Sequence, residues 1–250
     1  MQRYMVELRF RGTHYFGWQV QPGQISVQEV LEKSLSLFLR QPVAVTGAGR
    51  TDTGVHASYF VAHFDAGELP FSQGDVVYKL NRFLPEDISL ISIKPVSADF
   101  HARFSAISRT YRYCLSLVKD PFTNDTAWYY PWPLDVERMN TAAALLLQHR
   151  DFTSFSKLHT DVKTNLCHIT DARWDREGTQ LVFTVTADRF LRNMVRAIVG
   201  TLLEVGRGKL TAEGFEEVIL KKDRCAAGTS VPPHGLFLAD IRYPEHFIRG

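Results

Sequence analysis

Hydrophobic and polar positions alternate from the start of the chain: Tyr4, Val6, Leu8 and Phe10 interleave with Arg3, Glu7 and Arg9. A period of two predicts a half-buried strand. Ser26-Val-Gln-Glu29 then has the form of a capping box, in which serine and glutamate satisfy each other's open backbone donors. Behind it Val27, Val30, Leu31, Ser34, Leu35 and Phe38 follow helical spacing. A short strand is expected over 43–46, a glycine-rich loop after it, and a longer strand over 58–64. A helix over 75–83 and a strand over 88–93 complete the order βαββαβ.

The second half reads the same way. Tyr111, Tyr113, Leu115 and Leu117 share one face of a strand. A helix is predicted over 135–148, strands over 168–174 and 181–185, a long helix over 190–205, a shorter one over 211–220 and a last strand over 236–241. The two halves share no sequence self-similarity, and no low-complexity linker separates them. The simplest reading is an α+β chain of two ferredoxin-like βαββαβ halves with antiparallel sheets. The pattern restarts between Phe104 and Ser108, which divides the chain into residues 1–104 and 105–250.

Composition narrows the class. The chain has 250 residues, of which 45% are hydrophobic and 22% charged, as expected of a folded soluble protein. No apolar run approaches the roughly 18 residues of a membrane helix, and the alternating first residues are unlike a secretion signal. Three cysteines, Cys114, Cys167 and Cys225, are widely spaced and odd in number. That usage fits a reducing compartment such as the cytoplasm, with neither a disulfide framework nor a CxxC metal pair. A formal net charge of +2 means that any basic footprint is local.

Several stretches could carry chemistry. In "FLRNMVRAIVGTLLEVG", read as a helix from Phe190, Leu191, Met194, Val195, Ile198, Leu202 and Val205 share one face. Arg189, Arg192 and Arg196 fall within about 60° of one another on the other. That is either an amphipathic helix with a solvated basic side or a row of cations facing phosphate or carboxylate. Cations in the first turns oppose the helix dipole, which suits an anionic partner. "SRTYRY" places Tyr111 and Tyr113 on the strand face opposite Arg112, where a ring could stack a base or simply fill a core. "RGTHYFGWQ", residues 11–19, is an aromatic loop open to the same two readings. The nine histidines show no HxH or HExxH spacing, so a zinc site is not expected. No GxxxxGK[ST] or GxGxxG motif supports a nucleotide cofactor.

The loop "GAGRTDTGVHA", residues 47–57, concentrates glycine, one arginine and one carboxylate. Asp-Thr-Gly could be an ordinary turn, half of an aspartic-protease dyad, or a solitary nucleophile. A dyad shares one proton between two close carboxylates. Here there is a single Asp-Thr-Gly, with Arg50 two residues before Asp52, and a cation at that distance favours the charged form. An ionised solitary aspartate suits attack on an electrophilic carbon. Gly47, Gly49 and Gly54 would let the backbone present it.

These residues resemble the tRNA pseudouridine synthase A family. "GTHYFGWQVQP", "SVQEVLEKSL", "GAGRTDTGVHA", "NRFLPEDI", "DFHARFSAISRTYRY", "DFTSFSK", "FLRNMVRAIVG" and "PPHGLFLADIRYP" follow that family's blocks in its order along the whole chain. The resemblance implies an isomerase, free of cofactor and metal, that converts uridine to pseudouridine in the anticodon stem-loop of tRNA, at positions 38 to 40. It implies a homodimer with a basic cleft at the centre of two ferredoxin-like halves. By motif match Asp52 is the nucleophile, and Tyr111 lies on the extruded uracil as a candidate for the base that takes the C5 proton. Arg196 pairs with Asp52, and Leu236 packs on the ring. Arg50 supports the loop or helps extrude the base, and Arg189 and Arg192 serve substrate binding. The chain departs from the family at Thr53, where alanine is usual, and at Asn165-Leu166-Cys167, where an arginine is often found. The competing class is a non-catalytic RNA-binding module on ferredoxin-like sheets, for which a carboxylate among arginines would serve no purpose.

Overall fold

The computed structural model describes residues 1–157 and 164–248; His159, one of the histidines weighed for metal binding, lies outside them. The chain divides into two compact units. Unit 1 holds Met1–Ser108 and the segment that begins at Phe237, and unit 2 holds Arg109–Leu236.

Unit 1 is built on β1 (Gln2–Phe10), with β3 (His56–Ala66) on one side and β4 (Ile88–Val96) on the other, both antiparallel to it. The two-residue β2 (Thr46–Gly47) pairs antiparallel with β3, and β9 (Leu236–Arg242) joins it in parallel through His56↔Phe237 and Ala57↔Leu238. The register sets Val6 opposite Ala62 and Leu8 opposite Phe60. The expected alternation therefore becomes an apolar face of Tyr4, Val6, Leu8, Phe10, Phe60, Ala62 and Phe64, all buried. Val27, Leu31 and Leu35 of α1 (Val27–Leu39) and Val76 and Leu80 of α2 (Gln73–Asn81) add buried side chains to this core. Ser26 caps α1 by accepting the Glu29 N–H at 3.2 Å. The Glu29 carboxyl is held below its usual range mainly by Lys33, with a smaller contribution from the Ser26 backbone.

The opposite face of the same strands sets buried Met5 and Val61 beside polar side chains that are satisfied. Glu7 accepts from Tyr59 Oη at 2.7 Å, from Ser92 Oγ and from Lys94 Nζ at 3.4 Å. Burial works against its charge, yet these donors together outweigh it and hold the carboxyl low. Nearby, His63 is buried with its Nδ1 accepting the Ala102 N–H at 3.1 Å.

Unit 2 carries an antiparallel sheet in the order β5 (Ser108–Ser116), β8 (Gln180–Ala187), β7 (Ile169–Glu177), with the short β6 (Trp128–Tyr129) parallel to β5. Tyr113, Leu115, Phe183, Val185 and Trp174 are buried on one face. The other carries Thr110 against Thr186, Arg112 paired with Glu177, and Arg173 between Asp171 and Asp175. Asp135 caps α3 (Val136–Leu145) by accepting from the Arg138 N–H at 3.0 Å. α4 (Met194–Gly206) and α5 (Ala212–Lys221) follow, and α6 (Glu245–Ile248) closes the described chain in unit 1.

One helix differs from its sequence expectation. The periodicity extends α4 back to Phe190, but the helix starts at Met194 because Asn193 is left-handed, with φ 66°. Only Arg196 of the three arginines is on the helix, and the shared basic face does not form. The apolar side is wider than expected: Met194, Val195, Ala197, Ile198, Val199, Leu202, Leu203 and Val205 are all buried, which leaves only a narrow polar stripe that includes half-exposed Arg196 and exposed Glu204. Among the described residues no helix is long and apolar enough to cross a membrane.

His63 makes the fold sensitive to mild acid. Burial lowers its imidazole from 6.5 to about 4, with Arg3 and His101 acting in the same direction. A depressed histidine contributes stability that is present above the unfolded value and lost as pH falls toward the folded one. In His63→Asn the amide oxygen keeps the acceptor for Ala102 but removes the titration. The urea midpoint of this variant should fall less than that of the wild type between about pH 7 and about pH 5; an equal fall would remove His63 from the acid response.

Candidate active site

The loop of Asp52 spans the gap between β2 and β3 and is held by backbone. The Ala48 N–H donates to Val61 O at 2.8 Å, which fixes the entry, and the Val55 N–H donates to Asp52 O at 3.1 Å, which closes a turn around Gly54 at φ 77°. Beneath it runs the aromatic loop of residues 11–19. The Trp18 N–H donates to Thr51 O, and the Gly54 N–H to Tyr15 O, each at 3.4 Å. Gly17, at φ 84°, brings its Cα so close that a Cβ would stand 2.3 Å from Thr51 O. The Trp18 indole stacks on Phe60 at 4.2 Å and lies under Gly47, where a Cβ would come within 2.4 Å of Nε1. Of the three glycines in the loop, Gly47 is required for close approach and Gly54 for its dihedral. At Gly49 nothing lies within 4 Å of an added Cβ.

The side chains of the Arg50-Thr51-Asp52 triplet go separate ways. Thr51 is buried with its hydroxyl unpartnered, Asp52 is half-buried, and Arg50 is exposed. Among the described residues Arg50 forms no ion pair with Asp52, so proximity in sequence does not make it the counter-ion. Thr53, at the departure from the family pattern, is exposed.

Unit 2 places Tyr111, Arg196 and Leu236 on one connected framework. Tyr111 pairs with Val185 across the sheet and meets the Phe190 ring edge-on, centroids 5.0 Å apart at 83°. Arg196 Nε–H donates to Val231 O at 2.7 Å, and the Val231 N–H returns a bond to Arg196 O at 3.2 Å. Val231 belongs to a segment, residues 224–236, that lies along α4. Ser230 Oγ accepts from Asn193 Nδ2 at 2.6 Å and from Arg224 Nη2 at 2.9 Å. Gly228 N–H donates to Thr201 Oγ1 at 2.9 Å. The segment ends on Leu236, buried at 6% exposure. Tyr113, two residues after Tyr111 and fully buried, donates its hydroxyl to Pro232 O at 2.9 Å. Burial raises that phenol well above its ordinary value, so it stays a donor.

Arg189 and Arg192 lie outside the helix, before its first residue. Arg189 Nη1 donates to Thr164 O at 3.3 Å, and Arg192, exposed, accepts the Lys157 N–H on its carbonyl at 3.1 Å. The sequence did not single out Asn193, Arg224, Ser230 or His56, all of which hold these elements; of the two readings open for Tyr113, a stacking ring or a core filler, its full burial gives the core filler. The one local signal was Asn193, a residue type enriched at positive φ. Burial pushes the Cys114 thiol up to about 11 and the Cys167 thiol up to about 12, so neither of these two is poised as a nucleophile. Among the described residues no three His, Cys, Asp or Glu side chains are grouped to hold a metal ion.

Comparison with known proteins converges on this loop and framework. A model of the tRNA pseudouridine synthase family matches residues 8–105 and 142–244, which includes Asp52, Arg196 and Leu236. The chain is 56% identical to the tRNA pseudouridine synthase A of Parabacteroides distasonis, covering 98% of this chain and 97% of that one. It is 58% identical to the protein of that name from Bacteroides thetaiotaomicron (98% and 92%) and 38% identical to that from Exiguobacterium sibiricum (98% and 98%). With its motif loop, its arginine helix and its whole length shared in this way, the chain belongs to the tRNA pseudouridine synthase family.

Proposed function

We propose that this enzyme isomerises uridine to pseudouridine in tRNA with Asp52 as its nucleophile. The observation that carries the assignment is that Asp52 is half-buried on a loop whose backbone is clamped on both sides. A carboxylate held in that way can be aimed at one carbon. Asp52 attacks either C1′ of the ribose, displacing N1, or C6 of the ring, after which N1–C1′ breaks. The base turns and C5 bonds to C1′; the bond to Asp52 breaks, at C1′ as C5 displaces it or at C6 by elimination, and the carboxylate is returned. The C5 proton leaves and N1 gains one, so the atoms balance without an external reactant.

The other residues take roles that fit their surroundings. Tyr111, half-buried and set edge-on to Phe190, lies against the uracil and takes the C5 proton. Arg196 takes the role of partner to Asp52, and its Nε–H bond to Val231 fixes the plane of its guanidinium. Leu236 packs on the ring, Arg50 supports extrusion of the base, and Arg189 and Arg192 meet phosphates. Extruding a stacked base costs a few kcal/mol. A ring beneath it returns about 1–3 kcal/mol, and phosphate contacts supply the rest while making binding salt-sensitive.

The substrate region is the anticodon stem-loop at positions 38 to 40, the enzyme works as a cytoplasmic homodimer, and no cofactor or metal takes part. Each half of the chain, divided near residues 104–108, is a ferredoxin-like unit. In unit 1 this is supported by the strand order β4-β1-β3 with β2 beside β3.

The test is release of tritium from tRNA labelled at uridine C5. Asp52→Ala and Asp52→Asn should release none while binding tRNA nearly as well as the wild type, and tritium release by either variant refutes the nucleophile. Tyr111→Phe separates ring from hydroxyl. Lost turnover with retained binding assigns the proton transfer to the hydroxyl, whereas normal turnover leaves only the ring.

A further inference from the structure

We infer that His56 is a positioning residue for the reaction, and that it acts by accepting the Gly12 N–H at Nδ1. The inference rests on the reading of Asp52 as nucleophile and adds the group that fixes its loop from the far end.

His56 is the first residue of β3, four positions after Asp52, and is 0% exposed. Its Nδ1 accepts the Gly12 N–H at 2.9 Å, both groups being buried. Gly12 opens the turn that leads into the aromatic loop, and the approach there is tight: a Cβ on Gly12 would stand 2.0 Å from Val55 O, the residue just before His56. The other side of the imidazole meets Phe237, centroids 4.7 Å apart at 34°, and His56 and Phe237 are cross-strand partners in the β3–β9 pairing. Phe237 directly follows Leu236. One ring thus joins the start of the aromatic loop, the end of the Asp52 loop and the start of β9.

The chemistry of the contact defines the state of the ring. A nitrogen that accepts from a backbone N–H carries no proton, so the proton of the neutral imidazole is on Nε2. A proton on Nδ1 would set donor against donor in a buried space and leave the Gly12 N–H unsatisfied, which costs more than the bond itself contributes. No other neutral side chain places a planar acceptor so near the backbone while offering an aromatic face to Phe237. Asparagine reproduces the acceptor and phenylalanine the face. The loop between Ala48 and Val55 is anchored at its entry by the bond to Val61. His56 anchors its exit, and Asp52 lies between them.

Displacement of a reacting group by about 1 Å costs on the order of a hundredfold in rate. Three variants separate the acceptor from the ring. His56→Asn places Oδ1 where Nδ1 sits, His56→Gln carries its acceptor one bond further out, and His56→Phe keeps the ring without an acceptor. We expect kcat of His56→Asn to stay within about threefold of wild type, with kcat of the Gln and Phe variants about 10–100-fold lower and KM for tRNA little changed. A ring that merely fills space predicts the reverse order, Phe best and Asn worst, and that order overturns the inference, as does a loss carried by KM. Should the Phe or Gln variant not fold, the ¹⁵N shifts of the wild-type imidazole decide. Nδ1 must be unprotonated and Nε2 protonated, and the opposite tautomer refutes the contact. If Asp52→Ala retains turnover, the nucleophile assignment fails. If Asp52→Ala is inactive and the His56 series runs the other way, only the present inference fails.

Discussion

A loop that offers a carboxylate to a substrate cannot hold that carboxylate still by burying it, so the backbone has to be fixed from below. In unit 1 this happens by direct backbone contact. The aromatic loop approaches the Asp52 loop so closely at Gly17 that no side chain fits between them. Trp18 N–H and Gly54 N–H then cross-link the two. Trp18 also sits between Gly47 and Phe60, and Phe60 belongs to the apolar face shared with Leu8 and Phe10. The position of Asp52 therefore derives from the packing of the sheet, transmitted through one indole and a few backbone bonds. Close-packed interiors transmit such constraints with little give.

Unit 2 solves a related problem with a different device. α4 is apolar on nearly every side, and its one half-exposed cation, Arg196, needs acceptors. The segment that runs along the helix supplies them. Val231 exchanges two bonds with Arg196, and Ser230 is gripped by Asn193 and Arg224. The same segment ends on Leu236, and Tyr113 holds its Pro232 carbonyl. Arg196 and Leu236 are consequently placed by one piece of backbone. Charge-assisted bonds from the two arginines, stronger than neutral ones, give that piece its definition.

Much of this was legible in sequence because it is local. The alternation of β1, the cap at Ser26 and the spacing of α1 each depend on residues within one or two turns of one another. The motif loop and the family resemblance likewise rest on contiguous residues. The burial of His63 and the satisfied charge on Glu7 were not legible, since their partners come from other strands and loops.

The site divides along the same line. By itself the sequence determined that an aspartate stands in a glycine-rich loop, that a tyrosine strand and an arginine-bearing helix accompany it, and to which family the whole belongs. Tertiary structure alone decided that Arg50 turns to solvent away from Asp52 and that Gly49 has no steric duty. It also decided that α4 starts at Met194 and that His56 ties the loop to Gly12. The physical reason is distance along the chain. Asn193 is left-handed in the company of Ser230, 37 residues away, and His56 accepts from Gly12, 44 residues away. Periodicity reports which face of an element is buried, and it carries no information on which distant backbone group will meet a given side chain there.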